Sequence, residues 1–147
     1  MNLSTNSRPE PPRPTILIVD DQAEVLAALQ LTLRLRGYHV LGARSGPEAL
    51  QLLQSQPGLI DVLVTDFAMP EMDGRQLIQR VKEIVPSLPA IAISGNASPS
   101  DIESLLALGV VAFLQKPFSV EALSGAIERA LELRRQAGVP ASSPASP

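Results

Sequence analysis

The stretch "DVLVTDFAMPEMDG", residues 61–74, carries the feature on which the reading of the fold turns. Its apolar run lacks the alternation of a half-exposed strand, stops at Asp66, and is followed by Phe67, Met69 and Pro70. A short continuous apolar run is what a strand covered on both faces of a parallel sheet requires. The carboxylate at its end is either a turn aspartate bonded to its own backbone or a reactive group aimed out of the sheet edge. The remainder of the chain decides between the two.

Four further short runs lie outward from this one: "TILIVD" (15–20), "YHVLGA" (38–43), "AIAIS" (90–94) and "VVAFLQ" (110–115). Segments of helical period separate them. Residues 23–36 place Val25, Leu26, Leu29, Leu33 and Leu35 on a broad apolar face and end at Gly37, a natural left-handed cap. Ser45 with Glu48, and Asp73 with Gln76, have the spacing of capping boxes. Ser98 followed by Pro99 reads as a cap with proline at the first helical position. A last helix over roughly 119–136 ends in Arg134 and Arg135, which suit the negative end of its dipole. Strands alternating with helices predict an α/β fold, a doubly wound parallel sheet of five strands with helices on both faces. In such sheets chemistry sits beyond the carboxyl ends of the strands, at the topological switch point.

The residues expected at that edge are Asp20 and Asp21, Asp66, Ser94, and Lys116 with Pro117. A nucleotide or flavin phosphate would want Gly, Ser or Thr in the first loop. Here the loop reads "DDQAE", which repels phosphate and disfavours that class of protein. Carboxylates brought together raise one another's pKa unless a cation sits among them, and Mg²⁺, a hard ion preferring oxygen ligands, is the economical one. Each residue also has an ordinary reading. Asp21 with Glu24 could be a capping box, Ser94 a satisfied hydroxyl, Lys116 a solvated strand end. Their joint arrival at one edge is what favours a site. Asp61, at the opposite end of its strand, reads as structural.

Composition bounds the remaining classes. The 147 residues make one domain, and no run approaches the ~20 apolar residues of a membrane span. With no cysteine there is neither a disulfide framework nor a thiolate metal site, as expected of a soluble cytoplasmic protein. Net charge is −3 with the basic residues scattered, and only four aromatics occur, so nucleic-acid binding is not expected. Seven of fourteen prolines fall in residues 1–14 and 136–147, which are expected to be disordered tails around a domain spanning 15–135.

The pieces "ILIVDD", "VTDFAMPEMDG", "AIAISG" and "FLQKPF" together resemble the receiver domains of two-component response regulators, in the family's order and spacing, over about residues 15–135. The resemblance implies a flavodoxin-like (βα)5 sheet of strand order 2-1-3-4-5. It implies that Asp66 is the phosphoacceptor, taking a phosphoryl group from a sensor histidine kinase or a histidine phosphotransfer protein. Asp20, Asp21, Asp66 and the backbone carbonyl of Ala68 would hold Mg²⁺, and Lys116 would pair with a phosphoryl oxygen. A cis bond before Pro117 would aim the lysine, while Ser94 and Phe113 would be the switch pair. Ser94 stands where the family more often has Thr, and Phe113 where Tyr is common. Ala68 and Asn96 lie where the family shapes water access to the acyl phosphate, and neither offers an acid or base.

Ile102 and Leu106, four apart on the fourth helix, share a face. By position in the family they would stand near Phe113 on the α4-β5-α5 surface, where receivers dimerise or meet a downstream protein target. The reading is thus a single-domain signalling switch, not an enzyme acting on other substrates, though it catalyses its own phosphotransfer and dephosphorylation. The alternatives are a receiver detached from a hybrid sensor kinase or larger regulator, and a phosphorylation-independent interaction module.

Overall fold

The computed structural model describes residues 13–138, and most of both expected tails therefore lies outside the described residues. Within them the elements are β1 (Thr15–Val19), α1 (Ala23–Leu35), β2 (His39–Ala43), α2 (Gly46–Ser55), β3 (Val62–Asp66), α3 (Gly74–Ile84), β4 (Ala90–Ser94), α4 (Pro99–Ala107), β5 (Ala112–Gln115) and α5 (Val120–Gln136). The strands form one parallel sheet in the order β2-β1-β3-β4-β5. Each expected strand is present, trimmed by one or two residues where a flanking Asp, Tyr or Val belongs to a loop.

The order explains which side each helix takes. From β1 the chain steps outward to β2, then crosses back over β1 to β3 and continues through β4 to β5. A crossover of fixed hand puts helices on opposite faces when the direction of travel reverses. Accordingly α1 and α5 cover Ile16, Ile18, Val62, Val64, Ile91 and Ile93, while α2, α3 and α4 cover Leu17, Val19, Leu63, Ala90 and Ala92. Alternate residues of β1, β3 and β4 thus feed two separate cores, and all three strands are buried throughout. The edge strands β2 and β5 are only partly covered.

Local expectations fare unevenly. Asp73 and Gln76 form a full capping box, as do Ser98 and Asp101. Ser45 accepts from the Glu48 amide, but the Glu48 carboxylate turns to the Arg44 amide, so the second box is half made. Asp21 caps nothing: Gln22 is the N-cap of α1 and its amide donates to Asp20 Oδ1 at 2.8 Å. Leu35, expected on the apolar face of α1, is 80% exposed, because the core face is set by Leu26 and Leu33 with Val25 and Leu29 at its margin.

The largest departure concerns Arg134. Rather than resting at the solvated end of α5, it is buried, and its Nη1 donates to Asp61 Oδ1 at 2.8 Å. Asp61 Oδ2 in turn accepts the Thr15 amide at 2.8 Å. One carboxylate therefore ties the starts of β1 and β3 to the end of α5, which gives the structural reading of Asp61 its content. Removing one partner of such a buried pair leaves a charge without compensation, typically costing about 3–5 kcal/mol. Arg134→Met is expected to lower the urea midpoint by a loss near the bottom of that range with an unchanged slope; a midpoint equal to wild type would show that the pair contributes nothing net.

Candidate functional site

The strand register builds the site. Val19 pairs with Thr65 and with Ala43, so the loop after β1 emerges beside the end of β3. Asp66 pairs with Ile93, and Ser94 is the next residue on β4. The Lys116 amide then donates to the Ser94 carbonyl at 2.8 Å, which continues the ladder one step beyond β5. Asp20, Asp21, Asp66, Ser94 and Lys116 are in this way brought to one edge by hydrogen-bonded backbone. The Asp20 amide is itself held by the Ala43 carbonyl at 3.1 Å, and the Phe67 amide by Ile93 at 2.7 Å.

The side chains converge as well. One carboxylate oxygen from each of Asp20, Asp21 and Asp66 lies within 4.8 Å of the others. Asp20 and Asp66 are buried and Asp21 is half-buried. The Lys116 ammonium lies 3.5 Å from Asp66 Oδ1 and 3.8 Å from Asp20 Oδ2. Burial pushes the Asp66 carboxyl above the usual carboxylate range, the Lys116 ammonium pulls it back, and the neighbouring Asp20 and Asp21 charges add to the rise. An all-oxygen donor set of this charge suits a hard divalent cation such as Mg²⁺. These residues fit the ion that the sequence leads one to expect.

Ser94 is buried, and its hydroxyl accepts the Asn96 amide at 3.2 Å. The Lys116–Pro117 bond is cis. Ala68 is exposed in the loop directly after β3. Phe113, half-buried on β5 opposite Ala92, packs on the core beneath α2, α3 and α4. Ile102 is half-buried and Leu106 is 56% exposed, so Leu106 does not extend the core.

Two contributors were not singled out from the sequence. Arg44, just past β2, donates from Nη2 to the Asp21 carbonyl at 3.2 Å and so braces the acidic loop from the side away from Lys116. The readable signal was a cation following the second strand at the same edge. Gly74 is the other. Its amide donates to the Phe67 carbonyl at 2.7 Å, and a Cβ there would stand 2.5 Å from the Asp66 carbonyl oxygen and 2.9 Å from Phe67 Cα. Only glycine lets α3 begin this close to the strand that carries Asp66.

Comparison with known proteins agrees with this geometry. Residues 16–128 match the family model of the response regulator receiver domain. The transcriptional regulatory protein GlrR of Escherichia coli (strain K12) is 38% identical over 117 residues, which is 80% of this chain and 26% of that protein. The sensor kinase CckA of Brucella abortus (strain 2308) is 36% identical over 118 residues, 80% of this chain and 12% of that protein. The chain thus spans about a quarter or less of these two relatives. Among solved structures, a response regulator receiver domain protein from Clostridium thermocellum superposes with a TM-score of 0.81 at 28% identity, covering 84% of this chain and 98% of that one. A response regulator receiver protein from Pseudomonas putida gives 0.76 at 33% identity, covering 80% and 97%. The chain belongs to the response regulator receiver domain family.

Gly74→Ala is expected to cost about 1–3 kcal/mol, because the added methyl meets backbone that cannot move without displacing Asp66. Gly125→Ala, in mid-α5 with nothing within 4 Å of its Cβ position, serves as the control and is expected to stabilise by about 0.5–1 kcal/mol. Urea denaturation of both variants measures the difference, and equal responses would contradict the close-approach argument.

Proposed function

We propose that this chain is a phosphorylation-controlled signalling switch in which Asp66 accepts a phosphoryl group from a phosphohistidine. The observation that carries the reading is the placing of a buried carboxylate, two further carboxylates and an ammonium at one open sheet edge. An Asp66 oxygen forms the new bond to phosphorus as the phosphorus–nitrogen bond breaks and the donor imidazole departs with that electron pair, leaving an acyl phosphate. Mg²⁺, when bound, would screen charge between carboxylate and phosphoryl oxygens. Lys116, now ion-paired with Asp66 and Asp20, can turn its ammonium donors to the incoming phosphoryl group. The chain catalyses its own phosphotransfer and is not proposed to turn over any other substrate.

The donor has an approach that the structure supports. An open, mainly apolar groove of about 410 Å³ runs from Lys116 and Pro117 along α1, past Val25, Ala28 and Leu29, to Phe118. Beside it Leu31, 58% exposed, and Leu35 form a bare ridge on the solvent side of α1. Exposed apolar surface continuous with a reactive site fits a protein donor better than a small molecule. Output is proposed on another surface, around Ile102, Leu106 and Phe113 on α4 and β5, where a target or a second copy would bind. A phosphoryl group adds about two negative charges and three acceptor oxygens at Asp66. Ser94 would turn toward them and Phe113 follow inward, biasing that surface.

Intact mass after incubation with acetyl phosphate and Mg²⁺ should show one added phosphoryl group on wild type and none on Asp66→Asn. A folded wild-type protein that stays unmodified beside a competent receiver control would overturn the reading. Leu31→Glu is expected to leave the acetyl phosphate reaction unchanged while slowing transfer from a phosphorylated histidine kinase domain by about tenfold. Equal slowing with both donors would remove the docking role of α1.

A further inference from the structure

The edge of the sheet opposite the acids carries a second concave feature that phosphotransfer does not use. An open cleft of about 420 Å³ lies at the amino ends of β1 and β2, with Arg13, Arg34 and His39 as its basic lining and Leu41 and Leu59 as apolar wall. That volume falls within the range of small-ligand sites, roughly 300–1,000 Å³. The five-residue β1 separates it from the carboxylates by about 16 Å at the usual rise per strand residue. It is therefore a distinct place.

Its charge is the first argument. No lining side chain is acidic, although the chain as a whole carries −3. Other arginines meet a carboxylate: Arg36 pairs with Glu121, Arg134 with Asp61 and Arg135 with Glu132. Arg34 does not. Among the described residues its guanidinium makes one hydrogen bond, from Nη2 to the Val40 carbonyl at 3.3 Å, and the rest of its donor fork has no acceptor there. The imidazole of His39, the chain's single histidine, likewise has no side-chain partner among the described residues.

Preorganisation is the second. The floor is fixed by the His39 amide donating to the Pro14 carbonyl at 3.0 Å, the Asp61 amide to Thr15 at 2.8 Å, and the Thr15 amide to Asp61 Oδ2 at 2.8 Å. The Tyr38 hydroxyl donates to Glu128, which ties the neighbouring wall to α5. A ligand entering here orders little beyond the Arg34 and His39 side chains, so the ordering part of the cost of binding is small. A guanidinium fork matches the paired oxygens of a carboxylate or phosphate, and half-exposed Leu41 and Leu59 offer apolar contact to whatever bears that head.

We propose that this cleft binds a small amphipathic anion. Its carboxylate or monoester phosphate head rests on Arg34 and His39, and its ring or short apolar body lies against Leu41 and Leu59. The site is independent of whether Asp66 is phosphorylated.

The test is a titration of the full chain by amide NMR without divalent cation, using phenyl phosphate and benzoate as the two head groups, with inorganic phosphate and benzyl alcohol as the separated halves. Saturable shifts at the amides of Thr15, His39, Val40, Leu41 and Leu59 are expected with one or both intact anions, and the stronger of the two identifies the head group. Affinity should fall about tenfold or more in Arg34→Gln and in His39→Gln, and each half alone should bind at least tenfold more weakly. Both residues are exposed, so retained spectral dispersion will confirm that the variants fold. Absence of saturable shifts up to about 10 mM, tenfold weaker than a millimolar site, would overturn the proposal. So would unchanged affinity in both variants, shifts confined to the Asp66 edge, or inorganic phosphate binding as tightly as phenyl phosphate.

Discussion

Three carboxylate oxygens held within 4.8 Å of one another at the carboxyl edge of the sheet are the constraint around which the upper half of the molecule is arranged. Such crowding is unfavourable, and it persists only where the groups are held in place and a cation is near to offset it. Both conditions are met by backbone. Asp66 closes a strand whose next amide is bonded to Ile93, Asp20 is held by Ala43, and the loop beyond it is braced by Arg44 on the Asp21 carbonyl. The cation, Lys116, arrives on the continuation of the β4–β5 ladder, so its approach to Asp20 and Asp66 is set by strand register rather than by a flexible loop.

At the other edge the same logic appears with opposite economy. Asp61 is also buried, but its charge is met by Arg134 on one oxygen and by the Thr15 amide on the other. A buried ion pair adds little net stability compared with apolar packing, the more so here because Arg134 Nε is buried without an acceptor. What it fixes is position: it holds the last turns of α5 against the starts of β1 and β3. The two buried aspartates of β3 and its approach therefore divide the work, Asp61 anchoring the strand and Asp66 left short of partners where chemistry is wanted. Partial satisfaction at one end is tolerable because the other end is closed.

Much of this was legible in the sequence because it depends on period and punctuation. Continuous apolar runs gave the strands, and the ends of those runs named Asp20, Asp21, Asp66, Ser94 and Lys116 before any contact was known. Strand order came from the family likeness, since run lengths alone do not say which neighbours pair. What stayed hidden depends on tertiary proximity. Nothing local distinguishes Arg134 from Arg135, yet one is buried on Asp61 and the other pairs with Glu132 in the open. Leu35 fits an apolar helical face on paper, but the face is decided by which residues meet the sheet, and Leu35 does not. Gly74 carries no local signal of its own, because its role is the close approach of α3 to the Asp66 carbonyl.

The division of the core bears on how a change at Asp66 could be read out. The proposed donor groove and the α1 ridge lie on the side of the sheet shared by α1 and α5, whereas Phe113 packs on the core under α2, α3 and α4. A donor bound on the first side therefore leaves the second accessible. The link between them is short and stiff: Ser94 offers its hydroxyl to the Asn96 amide and its carbonyl to the Lys116 amide, and Phe113 lies three residues before Lys116 on the same extended segment. A phosphoryl group would take the Ser94 O–H as a donor, and the turn of Ser94 toward it would carry Oγ away from the Asn96 amide that it now accepts, loosening the start of the loop into α4 while Lys116 stayed fixed by backbone. On that account the moving part is the β4–α4 loop, and β5 is the stationary frame against which Phe113 changes rotamer.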